Sequence, residues 1–368
     1  MYDSVYAYNL NRKNPKEDVT NFLDIFRAGI APWYTCDIDR TKTFKTPYSN
    51  HVPDDCVMPA FKDTNITYEE CAMQRVKDLL ALADGRPINL LYSGGIDSST
   101  VLTSFIKYLG VDQAKEKINV LMSYESKVEN PWMWEKFIRP NLNIEHSKNF
   151  DFTKIRPDEL YINGELNDQL FAATGPVKSG LKLSRKLGKM MDDLMITDEL
   201  LYDYFIDLGM AARPAEFWTK NMSKLMDKCP CPEKNIWVFA WWYGFCCKWI
   251  NIKNRIFMFN NTTTEMYKVP DQAKTNIIPF FDSDKFQLWS MNNKEPKNLG
   301  NYDSFKWTAK KYVSSIIGDE YLLKVKRSSL DKVVVLRNRT QAIDSDFTLY
   351  NNIDFETFYT ADNDFSAK

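Results

Sequence analysis

Two short stretches of this chain carry residue types that could do chemistry together. From Ser93 to Ser99 the sequence reads SGGIDSS, and from Gly164 to Asp168 it reads GELND. In the first, the apolar run Ile88–Tyr92 gives way to two glycines, an aspartate and serines, and a second apolar run follows. Gly94 and Gly95 can take positive φ and leave room for close approach of a ligand. Their N–H groups, with those of Ile96, Asp97, Ser98 and Ser99, can curl inward as an anion nest at a helix start, where the dipole favours negative charge. Ser93, Ser98 and Ser99 add hydroxyl donors, so phosphates are the natural occupants. Asp97 would repel a bare phosphate, which points to Mg²⁺ between the carboxylate and a polyphosphate. The loop is neither GxxxxGK[ST] nor GxGxxG. A glycine turn capped by Asp or Ser is the plain structural alternative. The order strand, loop, helix favours the ligand.

The stretch YSGGIDSS resembles the PP-loop of the ATP pyrophosphatases, and closely that of the asparagine synthetases. YINGELNDQLFAATG, residues 161–175, is similar to the SGEGxDELF segment of the same family. Gly164, Glu165, Asp168, Leu170 and Phe171 fall on matching positions, whereas Asn163, Leu166 and Gln169 replace Ser, Gly and Glu. TNIIPFFDSDKFQLWSM, residues 275–291, resembles E-V-R-x-P-F-L-D: Pro279, Phe280 and Asp282 match, and the arginine falls on Ile277. The stretch from Lys306 to Leu330 resembles the region that ends in R-x-K. There Lys326 aligns with a lysine that approaches the phosphates, and Lys324 and Arg327 are stand-ins if the register slips.

The resemblance runs from about Thr67 to Leu330. It implies an α/β fold of the HUP, or adenine nucleotide alpha hydrolase-like, type: a parallel sheet flanked by helices, followed by a largely helical part. It also implies ATP and Mg²⁺ as cofactors. Ser93 to Ser99 and Gly164 would hold the nucleotide, backbone groups near Leu91 and Met122 the adenine, and Asp97 and Asp168 the metal. A carboxylate oxygen is a poor leaving group, so amide synthesis needs activation first, and adenylation makes AMP the leaving group. Glu165 is then the candidate general base for the attacking amine. Lys326 is the candidate cation for charge that builds on pyrophosphate.

The elements around these loops follow from local pattern. Thr67 and Glu70 form a capping box ahead of a helix that Gly85 ends. PINLLY is a buried strand, and SSTVLTSFIKYLG is a helix stopped by Gly110. INVLMSY, residues 118–124, LNIEHS and ELYING, residues 159–164, supply three more strands, with a short helix from Pro131 to Pro140 between them. Alternating strands and helices predict a parallel sheet. Beyond about residue 176 the pattern becomes helical, and IWVFAWWYGFCCKWI, residues 236–250, reads as a buried helix too short to span a bilayer. The expected organisation is an extension over 1–66, a synthetase-like domain over 67–330 and an acidic tail over 331–368 with FTLYNNIDFETFYT as a hairpin.

With 368 residues, 44% of them hydrophobic, and a net charge of -1, the chain can build a large core and has no global attraction to nucleic acid or membrane. Seven cysteines and two histidines without zinc spacings predict reduced thiols and a cytoplasmic setting. Residue 2 is Tyr2, not the cysteine nucleophile of a glutaminase, and Ser93 comes too early for a full glutaminase to precede it. The expected partners are therefore a small-molecule or peptide carboxylate and ammonia or an amine, with a homo-oligomer or an amine-supplying protein both open. Three readings remain: an AMP-forming amide ligase, a PP-loop enzyme acting on a nucleobase or tRNA, and a catalytically silent nucleotide-binding scaffold. The basic run Lys178, Lys182, Arg185, Lys186 and Lys189 lends some weight to the second, though a solvated helix face accounts for it more simply.

Overall fold

The computed structural model describes residues 38–44, 52–146, 155–172, 174–254, 256, 275–294 and 306–318. The chain divides into two compact units. One comprises the described residues within Ile66–Asn167, Ile256–Phe286 and Gly300–Lys368, and the other those within Met1–Asn65, Asp168–Arg255 and Gln287–Leu299. The contiguous 67–330 stretch is thus shared between a sheet unit and a helical unit. The expected hairpin in the acidic tail lies outside the described residues.

The sheet unit is α/β. Five parallel strands, β1 (Ile88–Tyr92), β2 (Ile118–Met122), β3 (Asn143–His146), β4 (Leu160–Asn163) and β5 (Ile277–Pro279), lie in the order β3-β2-β1-β4-β5. In register, Ile88 pairs with Ile118 on one side and Leu160 on the other, and Tyr161 pairs with Ile277. β5 was not anticipated: two isoleucines before a proline are too short a signal to separate a strand from a loop. Its proline is tolerated because β5 lies at the sheet edge. β2 ends two residues earlier than its apolar run predicts, because Ser123 caps the next helix through its hydroxyl, which accepts from Ser126 N.

Helix α1 (Tyr68–Ala83) starts on the expected capping box, with Thr67 accepting from Glu70 N and Glu70 accepting from Thr67 N at 2.7 Å. Its C-terminal cap is Asp84 in the left-handed region, one residue before the glycine expected to end it. Helix α2 (Ile96–Leu109) is buried from Ser98 to Ile106. A helix with so many buried hydroxyls is stable because they bond back into their own turns. Thr100 donates to Ile96 O at 2.8 Å, Thr103 to Ser99 O at 2.8 Å and Ser104 to Thr100 O at 2.6 Å. Gly110 caps it at φ 75° as expected, then α3 (Val111–Lys117) leads to β2, and α4 (Tyr124–Glu129) follows β2. The short helix from Pro131 continues through Pro140 to Asn141 rather than stopping there. A π turn over Trp134–Ile138 precedes Pro140, a widening that suits the missing N–H and the ring of a proline inside a helix. Phe105, Phe280, Phe281, Phe286, Tyr68 and Tyr312 form an aromatic core around α1, α2 and the helix Trp307–Ile317.

In the helical unit, every side chain of the helix Ile236–Cys247 is buried. Two of its three tryptophans find acceptors: Trp241 Nε1 donates to Ser290 Oγ and Trp242 Nε1 to Leu225 O, both at 2.8 Å. Part of the supposed N-terminal extension is built into this unit. Arg40 is buried, donates to Cys56 O, Phe245 O and Gln287 Oε1, and lies 4.6 Å from the centre of the Trp249 ring. The described cysteines are free thiols. Among the described residues no helix is long and apolar enough to cross a membrane.

Burial raises the Cys71 thiol from 9.0 to about 12. It also lifts Tyr68, which faces the Asp97 charge as well, and Tyr312 above the ordinary 10.0. An unfolded chain releases these protons near pH 9 and 10 while the folded one keeps them. Stability of the sheet unit is therefore full below pH 9 and declines above it, by about 1.4 kcal/mol per pH unit for each such group. Urea unfolding followed between pH 8 and 11 should show this fall, and Cys71→Val should delay its onset toward pH 10.

Candidate functional site

The strand order reverses direction between β1 and β4: β2 and β3 lie on one side of β1, β4 and β5 on the other. In an open parallel sheet the crevice beyond the carboxyl ends at such a reversal is where ligands bind. The two stretches singled out from the sequence are the loops that leave β1 and β4, so both border this crevice.

In the loop after β1, Gly94 sits at φ 91° and Gly95 is the N-cap of α2, without a side-chain cap. A Cβ on Gly94 would come within 2.5 Å of Ser126 O and 2.9 Å of Glu129 Cβ, so the packing of α4 leaves space there for glycine alone. The serines mostly hold the turn. Ser98 Oγ donates to Gly95 O at 3.1 Å and accepts from Ser93 N at 3.2 Å, and Ser99, fully buried, shares its hydroxyl with Tyr92 OH at 3.4 Å. Partial exposure remains at Ser93, Gly95, Ile96 and Asp97, whereas Ser98 and Ser99 are buried. Glu129 was not anticipated: a Cβ on Gly95 would lie 3.3 Å from its Oε1, which sets a carboxylate beside the loop.

The loop after β4 touches the loop after β1. A Cβ on Gly164 would stand 2.9 Å from both Asp97 C and Ser98 N and 3.1 Å from Asp97 Cβ. Asn163 steadies the turn by accepting from Glu165 N at 2.9 Å, which leaves Glu165 half-buried at its tip. Phe280 N donates to Asn163 O at 2.9 Å, and Arg75 reaches Pro279 O and Phe280 O, both at 2.9 Å, tying the segment after β5 to the same turn. Leu166 stands where the resemblance has glycine and keeps a glycine-like φ of 79°. Its side chain is buried, at 1% exposure, so burial of the isobutyl group offsets an unfavourable backbone.

Three residues complete the geometry around Asp97 that the sequence did not flag for it. Lys306 Nζ donates to both carboxylate oxygens of Asp97 at 2.7 Å, and its side chain is only 2% exposed. Asn167 Nδ2 donates to Asp97 Oδ1 at 2.7 Å, and Tyr68 OH donates to Asn167 Oδ1 at 3.1 Å. Lys306 has a positive φ of 52° and opens the helix Trp307–Ile317. Its only sequence signal was its place at the head of a stretch singled out for another lysine.

The sheet unit thus gathers Ser93–Ser99, Gly164, Glu165 and the lysine-bound Asp97 at one crevice. Leu91 and Met122 lie near the carboxyl ends of β1 and β2, with Met122 buried. Asp168 belongs to the helical unit, where it is partly exposed in the first turn of the helix Asn167–Leu170. Leu170 and Phe171 are core residues of that unit, with Phe171 against Trp289. Lys324, Lys326 and Arg327 lie outside the described residues. The glycine turn and first-turn N–H groups suit a phosphate. Asp97 does not suit a resident Mg²⁺ in this arrangement, since both its oxygens are taken by an ammonium at hydrogen-bond distance. Among the described residues no three acidic, histidine or cysteine side chains gather as a metal-holding group. Comparison with protein-family models, with curated proteins and with solved structures finds no match.

Gly94→Ala should destabilise the sheet unit by about 3 kcal/mol, from a clash with a backbone carbonyl and a strained φ together. Leu166→Gly relieves strain but loses burial, and should lower stability by only about 1 kcal/mol. Urea midpoints of the two variants against the parent measure both.

Proposed function

We propose that this chain is an ATP-dependent amide ligase that adenylates a carboxylate and passes the acyl group to ammonia or an amine, releasing AMP and pyrophosphate. The reading rests on one observation above the others: the SGGIDSS and NGELN loops abut across the reversal of a parallel sheet, Gly164 against Asp97. Two loops of those residue types, far apart in the chain, meet where a nucleotide is expected to bind. In this reading the sheet unit is of the HUP, or adenine nucleotide alpha hydrolase-like, type and the resemblance to asparagine synthetases extends to chemistry.

The roles divide by residue chemistry. Gly94, Gly95, Ile96 and the first-turn N–H groups of α2 hold the outer phosphates, and Ser93, Ser98 and Ser99 keep that turn in shape. Backbone groups near Leu91 and Met122 receive adenine. The substrate carboxylate attacks the α-phosphorus and pyrophosphate leaves. The amine must lose a proton as it attacks the acyl carbon, and in this reading Glu165, half-buried on the turn that Asn163 braces, accepts it. Lys326 stands by the departing charge, a role that comes from the resemblance alone. Magnesium enters with the nucleotide rather than as an ion resident on Asp97. The carboxylate is a small molecule or a peptide, the amine is ammonia or comes from a partner, and the setting is cytoplasmic.

A second reading, a nucleotide-binding protein without turnover, draws on Leu166 in the place of glycine and on the Asp97–Lys306 pair. Exchange of labelled pyrophosphate into ATP, measured over a panel of carboxylic acids, separates the two. One acid should stimulate exchange, and Glu165→Gln should leave exchange near the parent level while slowing amide formation about 100-fold. Nucleotide binding without α,β cleavage for any acid selects the second reading, and AMP release stimulated by RNA would point to a nucleobase-modifying enzyme instead.

A further inference from the structure

An aspartate in the first turn of a phosphate-binding helix poses an electrostatic problem: its charge opposes the ligand that the N–H groups attract. A divalent cation bound to the carboxylate is one solution. The structure carries another. Lys306, 209 residues away in sequence, places its ammonium 2.7 Å from each Asp97 oxygen. Its side chain is 2% exposed, whereas that of Asp97 is 26% exposed, so the lysine stands behind the aspartate with little access to solvent. Asn167, fully buried, donates a further hydrogen bond to Asp97 Oδ1, and Tyr68 fixes the Asn167 amide from the far side. These donors also fix the carboxylate in orientation. Gly164 closes the space beside it, within 3.1 Å of Asp97 Cβ for a side chain that glycine lacks.

We propose that Lys306 is the built-in counter-charge of the phosphate loop: it neutralises Asp97 so that the start of α2 accepts a pyrophosphate group without a metal ion on that carboxylate. The inference rests on the phosphate-loop reading and adds a division of labour to it. Asp97 and Lys306 act as a neutral pair that shapes the loop. The net attraction for phosphate then comes from the N–H groups and the helix dipole, against the acidic side chains of Glu129, beside Gly95, and Glu165, next to Gly164. Lys306 acts through Asp97, as a positioning residue rather than a catalytic one. A carboxylate left without its ammonium would repel a tetra-anionic ligand and would regain a need for a divalent ion.

The test is calorimetric titration of the full chain with inorganic pyrophosphate, once in a chelator and once with Mg²⁺. The parent should bind in both conditions with affinities within about threefold of each other, a small difference for a site that needs no ion. Lys306→Met should lose at least about tenfold in the chelator, the scale of one charge-assisted interaction, and recover with Mg²⁺. Lys306→Arg should behave nearly as the parent. Because removing one partner of a largely buried pair strains folding, Asp97→Asn with Lys306→Met serves as a second variant: with neither charge present it should bind pyrophosphate in the chelator about as the parent does. Binding by the parent only with Mg²⁺ would overturn the inference and leave the phosphate-loop reading standing. So would a double variant that binds as poorly in the chelator as Lys306→Met. Failure of the folded parent to bind in either condition would overturn both.

Discussion

The contact between Gly164 and the first turn of α2 is the constraint on which the sheet unit's crevice depends. Any side chain at position 164 would press within 2.9 Å of the backbone of Asp97 and Ser98, so the loops after β1 and β4 can share one space only because this residue is glycine. The same closeness brings Asn167, three residues on, within hydrogen-bond reach of the Asp97 carboxylate. On the other flank, Gly94 lies so near Ser126 and Glu129 that α4 closes on the loop after β1 from the β2 side. Two glycines therefore set the distances among three loops at the carboxyl edge of the sheet, and the polar groups around them inherit their positions from that packing.

Around this edge the sheet unit spends much of its polarity on rigidity. The hydroxyls of α2 bond into their own helix, Ser93 and Ser98 brace the turn ahead of it, and Ser99 joins Tyr92 at the end of β1. Arg75, partly buried and with its charge disfavoured by desolvation, spans the carbonyls of Pro279 and Phe280 at the end of β5. A loop held this way is fixed by its own hydroxyls and by the helix that follows it. The Asp97–Lys306 pair adds charge balance to that rigidity at the helix start, where opposing fields would otherwise meet.

The helical unit shows a different economy. Its centre is a helix with no polar face, Ile236–Cys247, whose Trp241 and Trp242 N–H groups are met by Ser290 and a carbonyl of the helix Ala212–Asp227. Leu170 and Phe171, which matched the resemblance as closely as Glu165 did, belong to this core, so a motif match there reflects packing rather than chemistry. Arg40 brings the described part of the first 65 residues into the same core, against Trp249 and the carbonyl of Phe245.

Much of the sheet unit was legible in local pattern. The Thr67–Glu70 box, the glycine stop at Gly110, four of the five strands and the buried Ile236 helix follow from capping chemistry and from runs of apolar residues, which act over a few neighbours. The place of the SGGIDSS loop between a strand and a helix was readable for the same reason: glycines, serines and an aspartate follow one apolar run and open another. The π turn ahead of Pro140 was hidden, because a proline within a helix can be absorbed or can end it, and neighbours decide which. β5 was hidden because three residues form a strand only when another strand's edge is waiting. What answers Asp97 was also out of reach. From its spacing the aspartate asks for a cation, and nothing within the chain's local order says whether that is an ion or a lysine 209 residues away. Short-range rules of caps, turns and apolar runs determined the elements and the loop, whereas the identity of the charge beside Asp97 was decided by tertiary packing, because a buried ammonium can be held there only by a fold that excludes water around it.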